Sequence, residues 1–301
     1  MTLDKTADVV AISDLTPDTA GAIVLWRLSG ETNYGHLKAA FVAQGVEEKL
    51  LPDLPSPQEA LQRAMREHVS KRTLLRTLPG RRAGFALVDE YEATEQEASE
   101  GTPLRYRVRF TTRLVSVEGQ AEPTLECSNT ALAEFNKVVA DYQLNLTKLT
   151  AEDTASWLSA MVRGVSAVPL RDTGGVYFVP RETLPLWRKL VAALKTASAT
   201  YVAEIPALRS TEAIGAILDS LSREAAQQMA GMEEELKEAA VASLGGRAIK
   251  TRVGKCEAMA EKLEVYERLA GVSLDELRSR LEGLRANLAA AALIAHSVEA
   301  A

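Results

Sequence analysis

The chain has 301 residues, of which 47% are hydrophobic and 25% are charged. This balance is typical of a folded globular protein and excludes a disordered or fibrous chain. The formal net charge is −6 at pH 7, so we expect no general attraction of the whole molecule to a polyanion.

The sequence predicts a cytoplasmic protein with no membrane segment. No apolar run approaches the roughly 18 residues that a membrane span needs. Asp4, Asp8 and Asp14 occupy the N-terminal segment, where a secretory signal would be basic and then apolar. Cys127 and Cys256 are far apart in the sequence, which favours a reducing compartment over a disulfide framework.

The chain begins with a short buried strand at residues 22–28 and a helix at 33–44. A second helix follows a proline-rich link. Ser56 is its predicted N-cap, Pro57 takes the first helical position, and Glu59 completes a capping box. Residues 83–92 and 104–117 alternate with a period of two around an acidic loop, which predicts an antiparallel hairpin.

Further elements continue the mixture of strands and helices up to residue 205. The predicted segments are a strand at 123–128, helices at 130–146 and 152–163, a hairpin of 165–170 with 176–179, a helix at 183–198 and a strand at 201–205. Paired strands with interspersed helices predict the α+β class, with the order of the strands left open.

Composition changes sharply near residue 206. All 11 prolines lie at or before Pro206, and Tyr266 is the only aromatic residue after it. A long segment rich in Ala, Leu, Glu, Lys and Arg is typical of helices, because these residues lose little side-chain freedom in a helix. The sequence therefore predicts two domains, an α+β domain at 1–205 and a helical module at 206–301.

The module is predicted to hold three antiparallel helices with coiled-coil-like spacing, at about 211–244, 247–270 and from 273 onward. A glycine pair at 245–246 ends the first helix. The third helix has the most regular heptad pattern. Its predicted helical-interface residues are Leu274, Leu277, Leu281, Leu284 and Leu288.

Motifs that would indicate catalysis are missing. His36, His68 and His296 are scattered without the spacing of metal ligands, and the nucleophile elbow Gly-x-Ser-x-Gly does not occur. Residues 245–251 resemble a phosphate loop only superficially, because Ile249 stands where the second glycine is needed. The sequence thus predicts no catalytic residue, metal or cofactor, and we expect no enzymatic activity from the chain by itself.

Two basic segments, the helix and loop at 61–82 and the strand at 104–117, suggest an alternative function, non-sequence-specific nucleic-acid binding. Strand parity predicts that the arginines of 104–117 share one face, opposite Tyr106, Val108, Phe110 and Leu114. Such a face could contact phosphates, although Glu90 and Glu92 on the partner strand would pair with the arginines. The candidate contacts are Arg63, Arg66, Lys71, Arg72, Arg105, Arg107, Arg109 and Arg113.

Four phrases of the sequence occur together in a characteristic way. They are Leu-Trp-Arg-Leu-Ser-Gly at 25–30, the helix entry at 55–64, Gly-Gly-Val-Tyr-Phe-Val-Pro at 174–180, and Val-Tyr-Glu-Arg-Leu at 265–269. Together they resemble an uncharacterised family of bacterial and bacteriophage proteins with an α/β front and a helical back. The resemblance implies a place beside MoxR-like AAA+ ATPases, as an adaptor or substrate, and implies no catalytic residues.

The main functional prediction is a non-enzymatic protein that acts through protein–protein contacts of its helical module. The partner is either a second copy, which would make a homo-oligomer, or a larger assembly such as an AAA+ ATPase. A long helix with an apolar stripe must bury that stripe, which favours such a partner. The competing outcome is that the α+β domain covers the stripe and the chain stays monomeric.

Overall fold

The computed structural model describes residues 18–28, 30–79, 84–92, 104–116, 123–128, 133–172, 174–239 and 246–299. The strands in these ranges are β1 (Thr19–Arg27), β2 (Thr32–Asn33), β3 (Thr73–Thr77), β4 (Gly84–Glu92), β5 (Leu104–Val115), β6 (Thr124–Cys127), β7 (Lys148–Leu149), β8 (Val168–Pro169), β9 (Val176–Pro180) and β10 (Tyr201–Leu208). The α-helices are α1 (Tyr34–Gln44), α2 (Pro57–Arg66), α3 (Ala133–Asn145), α4 (Ala151–Gly164), α5 (Leu184–Ala197), α6 (Thr211–Ala239), α7 (Gly246–Ala270) and α8 (Asp275–Glu299).

The predicted α+β class is confirmed, with the strands in the N-terminal part and three long helices at the C-terminal end. The predicted end of the first long helix at 240–245 lies outside the described residues. The predicted strand at 165–170 is shorter than expected. Ser166, with φ of 56°, belongs to the C-terminal turn of α4, where the N–H of Ala167 donates to the carbonyl of Val162 over 3.0 Å.

Contacts between residues divide the chain into two compact units. The first unit comprises Met1–Leu28, Ser156–Ala192 and Thr200–Ala301, and the second comprises Ser29–Ala155 and Ala193–Ala199. This grouping differs from the predicted domains, because two segments before residue 205 group with the C-terminal helices. The predicted boundary at residue 205 also lies inside β10. In the first unit, the N-terminal strand therefore belongs with the three C-terminal helices.

The first unit contains a four-stranded antiparallel sheet in the order β10-β1-β9-β8. Ile23 at its centre pairs with Ile205 on one side and Phe178 on the other. Phe178 and Ala207 belong to one buried cluster together with apolar side chains of α6, α7 and α8. The sheet and the helices of this unit thus share a single hydrophobic core, which removes their apolar faces from water.

The second unit contains a meander of four antiparallel strands in the order β3-β4-β5-β6, and a two-stranded pair of β2 with β7. The hairpin of β4 and β5 confirms the sequence prediction. Helices α2 and α3 contribute to the core on one face of this sheet, where Leu61, Met65, Phe85, Phe110 and Tyr142 are buried. The predicted capping box of α2 is present, since Ser56 and Glu59 bind each other's backbone N–H groups.

A β-bulge interrupts the pairing of β4 with β5. Leu87 pairs with Phe110 and Val88 pairs with Val108, so Arg109 has no partner residue on β4. An extra residue in one strand reverses the alternation of its side chains beyond that point. In the second half of β5, even-numbered residues such as Phe110 therefore lie on the core face. In the first half, odd-numbered residues such as Arg107 lie on that face.

The bulge changes which arginines share a face. Arg105 and Arg107 lie on the face of Phe110, the face that is buried further along the sheet. The opposite face carries Tyr106, Val108 and Arg113. The prediction of four arginines on one face is therefore wrong, because parity holds only along an uninterrupted strand. Tyr106 and Val108 were predicted to face away from the arginines, on the apolar side, yet each is 56% exposed.

Candidate functional site: a groove on the C-terminal helices

The leucines predicted at the helical interface point into the core of the first unit. Leu281, Leu284 and Leu288 are buried, and Leu274 and Leu277 pack against the same cluster. That cluster includes sheet residues such as Phe178. These five leucines therefore pack within the chain, and Leu284 also lines an open groove; whether the chain is a monomer or an oligomer stays a prediction.

A groove nevertheless remains open between α6 and α8. Its volume is about 640 Å³, within the roughly 300–1,000 Å³ typical of ligand sites. Leu236, Leu284 and Ala291 contribute apolar surface to it, and Gly283 and Ala290 contribute small residues on α8. We call this feature the helical groove.

Gly283 lines the helical groove without a side chain. A Cβ atom added at this glycine meets no other atom within 4 Å, so the space above it is free. Glycine in the interior of a helix costs about 1 kcal/mol relative to alanine. No crowding requires glycine here, so the position leaves room for another helix to approach; Gly215, Gly231 and Gly254 share this property.

One rim of the helical groove carries an ion pair. The Arg280 guanidinium donates two hydrogen bonds of 3.0 Å to the Glu233 carboxylate. The hydrogen bond from Arg280 lowers the pKa of Glu233 and raises that of Arg280, so both groups stay charged near neutral pH. Lys237 and Asn287 also line the groove, so a mainly apolar floor has a polar edge, as in protein interfaces.

The basic candidate residues of the second unit differ in their partners and in their exposure. On α2, Arg63 is held by Asp153, with nitrogen-to-oxygen distances of 2.8 and 2.9 Å. Arg66, Lys71 and Arg72, at the end of this helix and in the turn after it, are exposed. The first segment therefore offers three of its four candidate contacts to solvent.

On β5 the arginines have separate environments. Arg109 at the bulge donates to both oxygens of Asp89 over 2.7 and 3.0 Å, and to Glu134 over 2.8 Å. The Arg107 guanidinium lies 5.1 Å from the centre of the Tyr91 ring, a cation–π contact. Asp89 takes the place predicted for Glu90, because the register puts Glu90 opposite Tyr106.

A buried polar cluster in the first unit has no counterpart in the sequence predictions. Lys262 on α7 donates to Glu224 on α6 and to the carbonyl of Ala167, over 2.6 Å in each case. Burial lowers the pKa of Lys262, while Glu224 acts in the opposite direction. The signal in the sequence was a lysine four residues before Tyr266, on the apolar stripe of its helix, where a charge needs a partner.

Tyr266 belongs to the same cluster. Its hydroxyl donates to the carbonyl of Ser166 over 2.9 Å. Burial raises the pKa of Tyr266 well above its ordinary value of 10, so the phenol stays neutral. With Lys262, it fastens α7 to the backbone after α4. Both side chains are held by neighbours within the core, so we call this cluster a core anchor, with a structural role.

Within the part of the chain that the structure describes, no three His, Cys, Asp or Glu side chains are grouped so that they could hold a metal ion. The helices among the same residues include none that combines the length and apolar character needed to cross a bilayer.

These features define the structural class of the protein: it is a mixed α+β protein in which a small antiparallel sheet shares its core with three long C-terminal helices. Residues 20–297 match the model of a family of unknown function, DUF6744, and the chain belongs to that family. No curated protein and no solved structure matches the chain.

Proposed function

We propose that the chain is a non-enzymatic protein that acts through protein–protein contacts, and that a second copy of the chain binds in the helical groove. The open, mainly apolar groove beside Gly283 is the observation that supports this proposal. Burying its apolar surface would release ordered water, which is the main driving force of association.

A second copy is the favoured occupant because a two-fold axis brings identical patches together, and most soluble oligomers are built in this way. If two copies of α8 cross antiparallel near Asn287, Gly283 of one copy faces Ala290 and Ala291 of the other. These small residues let the helices approach to the short end of the roughly 8–10 Å range.

The charges at the rim are nearly balanced. Arg280 and Glu233 supply both signs at one place, and Lys237 adds one positive charge, so two identical rims meet with only a small net repulsion. A partner with a strongly acidic or strongly basic helix would have one of these charges against it.

The resemblance to bacterial and bacteriophage proteins supports a further step of the proposal. In this step the assembled protein serves as an adaptor or substrate of a MoxR-like AAA+ ATPase. The helical groove would then be occupied by a helix of the ATPase, and the chain alone would remain a monomer.

Sedimentation velocity over a wide concentration range tests self-association. We expect the native chain to form a dimer whose population rises with concentration. Gly283→Lys places a long charged side chain over the groove, so this variant should remain monomeric. Gly254→Lys on α7 is the matched control, because Gly254 is exposed and also has free space at its Cβ position; it should dimerise normally.

A charge swap sharpens the test. Ala290→Glu should also abolish the dimer, whereas the double variant with Gly283→Lys should restore it, because Lys and Glu then meet across the two-fold axis. A native chain that stays monomeric at every concentration contradicts the second copy as occupant. Retention of the dimer in Gly283→Lys contradicts the groove as its location.

Nucleic-acid binding remains the alternative proposal, and the exposed Arg66, Lys71 and Arg72 support it. The carboxylate partners of Arg63 and Arg109 reduce the net positive charge of the two segments. An anisotropy titration with single- and double-stranded DNA at two salt concentrations separates the alternatives, because phosphate contacts weaken steeply with salt.

A further inference from the structure

We propose that Asn287 of α8 pairs with Asn287 of a second copy across a two-fold axis, and that this contact fixes an antiparallel register of the dimer. The inference rests on the proposed function, since it concerns the second copy in the helical groove. It goes further because it assigns the specificity of that contact to one residue that lines the groove.

The residues with which α8 lines the groove follow a helical spacing. Arg280, Gly283, Asn287 and Ala290 recur at steps of three and four residues. Residues at this spacing lie one above the other on the same face of a helix. Such a row offers the ridges and gaps into which the side chains of a second helix fit. The spacing therefore favours a helix as the occupant of the groove.

Asn287 is the polar residue in the middle of this row, between Gly283 and Ala290. Its side chain is exposed, and the residues that the structure describes offer it no hydrogen-bond partner. A helix that covers the groove removes water from this carboxamide. The N–H and C=O groups of the carboxamide then need partners on the occupant, because a buried polar group without a hydrogen bond is costly.

A second copy supplies such a partner, because a carboxamide is complementary to itself. It carries both a donor and an acceptor, so two copies related by a two-fold axis can form two reciprocal hydrogen bonds. A charged side chain at this position would instead face its own charge across the axis. In coiled coils, a single asparagine at an interface position specifies register and oligomeric state at a cost in stability.

The charges of α8 favour the antiparallel direction. The charged residues of this helix lie between Asp275 and Arg285, and the next one is Glu299. In an antiparallel pair centred on Asn287, the charged half of each helix lies beside the uncharged half of the other, so like charges stay apart. A parallel pair would set Arg280 beside Arg280 and Arg285 beside Arg285, which is unfavourable.

Mixing two charged variants tests the contact by sedimentation velocity. Asn287→Asp and Asn287→Lys each place like charges on the axis, so each variant alone should dimerise about tenfold more weakly than the native chain, or weaker still. An equimolar mixture should restore the dimer, because a carboxylate then meets an ammonium group. Asn287 is exposed, so neither substitution disturbs the core.

The matched controls for these variants lie on α6. Gln227 is also an exposed amide residue, and it is not among the residues that line the groove. Gln227→Asp and Gln227→Lys therefore introduce the same charges at a distance from the contact. Both controls should dimerise like the native chain.

Disulfide trapping measures the direction of the helices, with the native chain as the reference for Cys127 and Cys256. A disulfide needs Cα atoms within about 7 Å of each other. In the antiparallel pair the two copies of residue 283 lie about 12 Å apart along the helices. Gly283→Cys alone should therefore not cross-link, whereas Gly283→Cys combined with Ala291→Cys should.

Removal of the carboxamide should release the choice of direction. In Asn287→Leu the two directions no longer differ by an amide pair, so Gly283→Cys should cross-link in this background as well. A native chain that is monomeric at every concentration overturns both this inference and the proposed second copy. If the native chain dimerises, dimers of native strength in Asn287→Asp and Asn287→Lys overturn only the role of Asn287. Cross-linking of Gly283→Cys alone in the otherwise native chain does the same.

Discussion

The two compact units both contain ion pairs, but water reaches them to very different extents. In the first unit, the side chains of Lys262 and Glu224 are only 8% and 10% exposed. In the second, Arg109 and Asp89 are 33% and 30% exposed at the β-bulge. The same chemistry therefore serves as a core anchor at Lys262 and as a surface contact at Arg109, and the first unit also has exposed pairs such as Arg280 with Glu233.

The physical reason is the cost of removing a charge from water. A buried charge that loses its partner remains without solvation, whereas a half-exposed one is compensated by solvent. The helices of the first unit can bury Lys262 only because Glu224 and the Ala167 carbonyl both meet its ammonium group. The bulge of the second unit needs no such complete set of partners.

Breaking the buried pair should have the largest effect. Lys262→Ala leaves Glu224 buried without its cation, and we expect the free energy of unfolding to fall by about 3–5 kcal/mol. The double variant Lys262→Met with Glu224→Leu should recover much of this loss, because no charge stays buried. Urea denaturation measures both. A loss below about 1 kcal/mol in the single variant would mean that water reaches the pair.

The neighbouring phenol should have an intermediate, pH-dependent effect. Tyr266→Phe removes the hydrogen bond to Ser166 and should cost about 1 kcal/mol at neutral pH. The pKa of Tyr266 is raised in the folded chain, so the folded state keeps its proton while the unfolded state loses it above about pH 10. The native chain should therefore lose stability with rising pH in that range.

The comparison of Tyr266→Phe with the native chain isolates this contribution. Their difference in unfolding free energy should shrink as the pH rises from 9 through 10 and above, since the phenylalanine variant has no proton to lose. Thermal or urea unfolding at a series of pH values measures it. A difference that stays constant across this range would contradict burial of the hydroxyl.

Breaking the surface contact should have the smallest effect. Arg109→Gln removes the pairs with Asp89 and Glu134, and we expect a loss of about 0–1 kcal/mol. Arg113→Gln, at an exposed position on the opposite face of β5, is the control for loss of charge alone. A loss at Arg109 that equals the loss at Lys262 would show that the bulge depends on its ion pair, and the contrast between the units would fail.

Local signals in the sequence predicted much of the secondary structure. Ser56, Pro57 and Glu59 define the start of α2 through neighbours in the chain, and that start is confirmed. The hairpin of β4 and β5 and the three C-terminal helices are also confirmed. Capping, periodicity and turn composition act over a few residues, so a single sequence contains all the information that they need.

The same local signals predicted fewer of the residues at the candidate sites. The heptad pattern of α8 identified the leucines that become buried, but it did not show what buries them. The helical groove involves Leu284 of that pattern, and also Gly283 and Ala290, at positions of α8 that the pattern does not identify. Parity on β5 failed at Arg109, because a bulge depends on the pairing of two strands and not on either strand alone.

The sequence by itself determined the α+β class, the bounds of most elements and the change of composition near Pro206. Only the tertiary structure decided that β1 pairs with both β9 and β10, and that this sheet shares a core with α6, α7 and α8. It also decided the meeting of Lys262 with Glu224. The reason is physical: burial of apolar surface is non-directional and selects partners across long sequence separations, whereas local propensity fixes only neighbours.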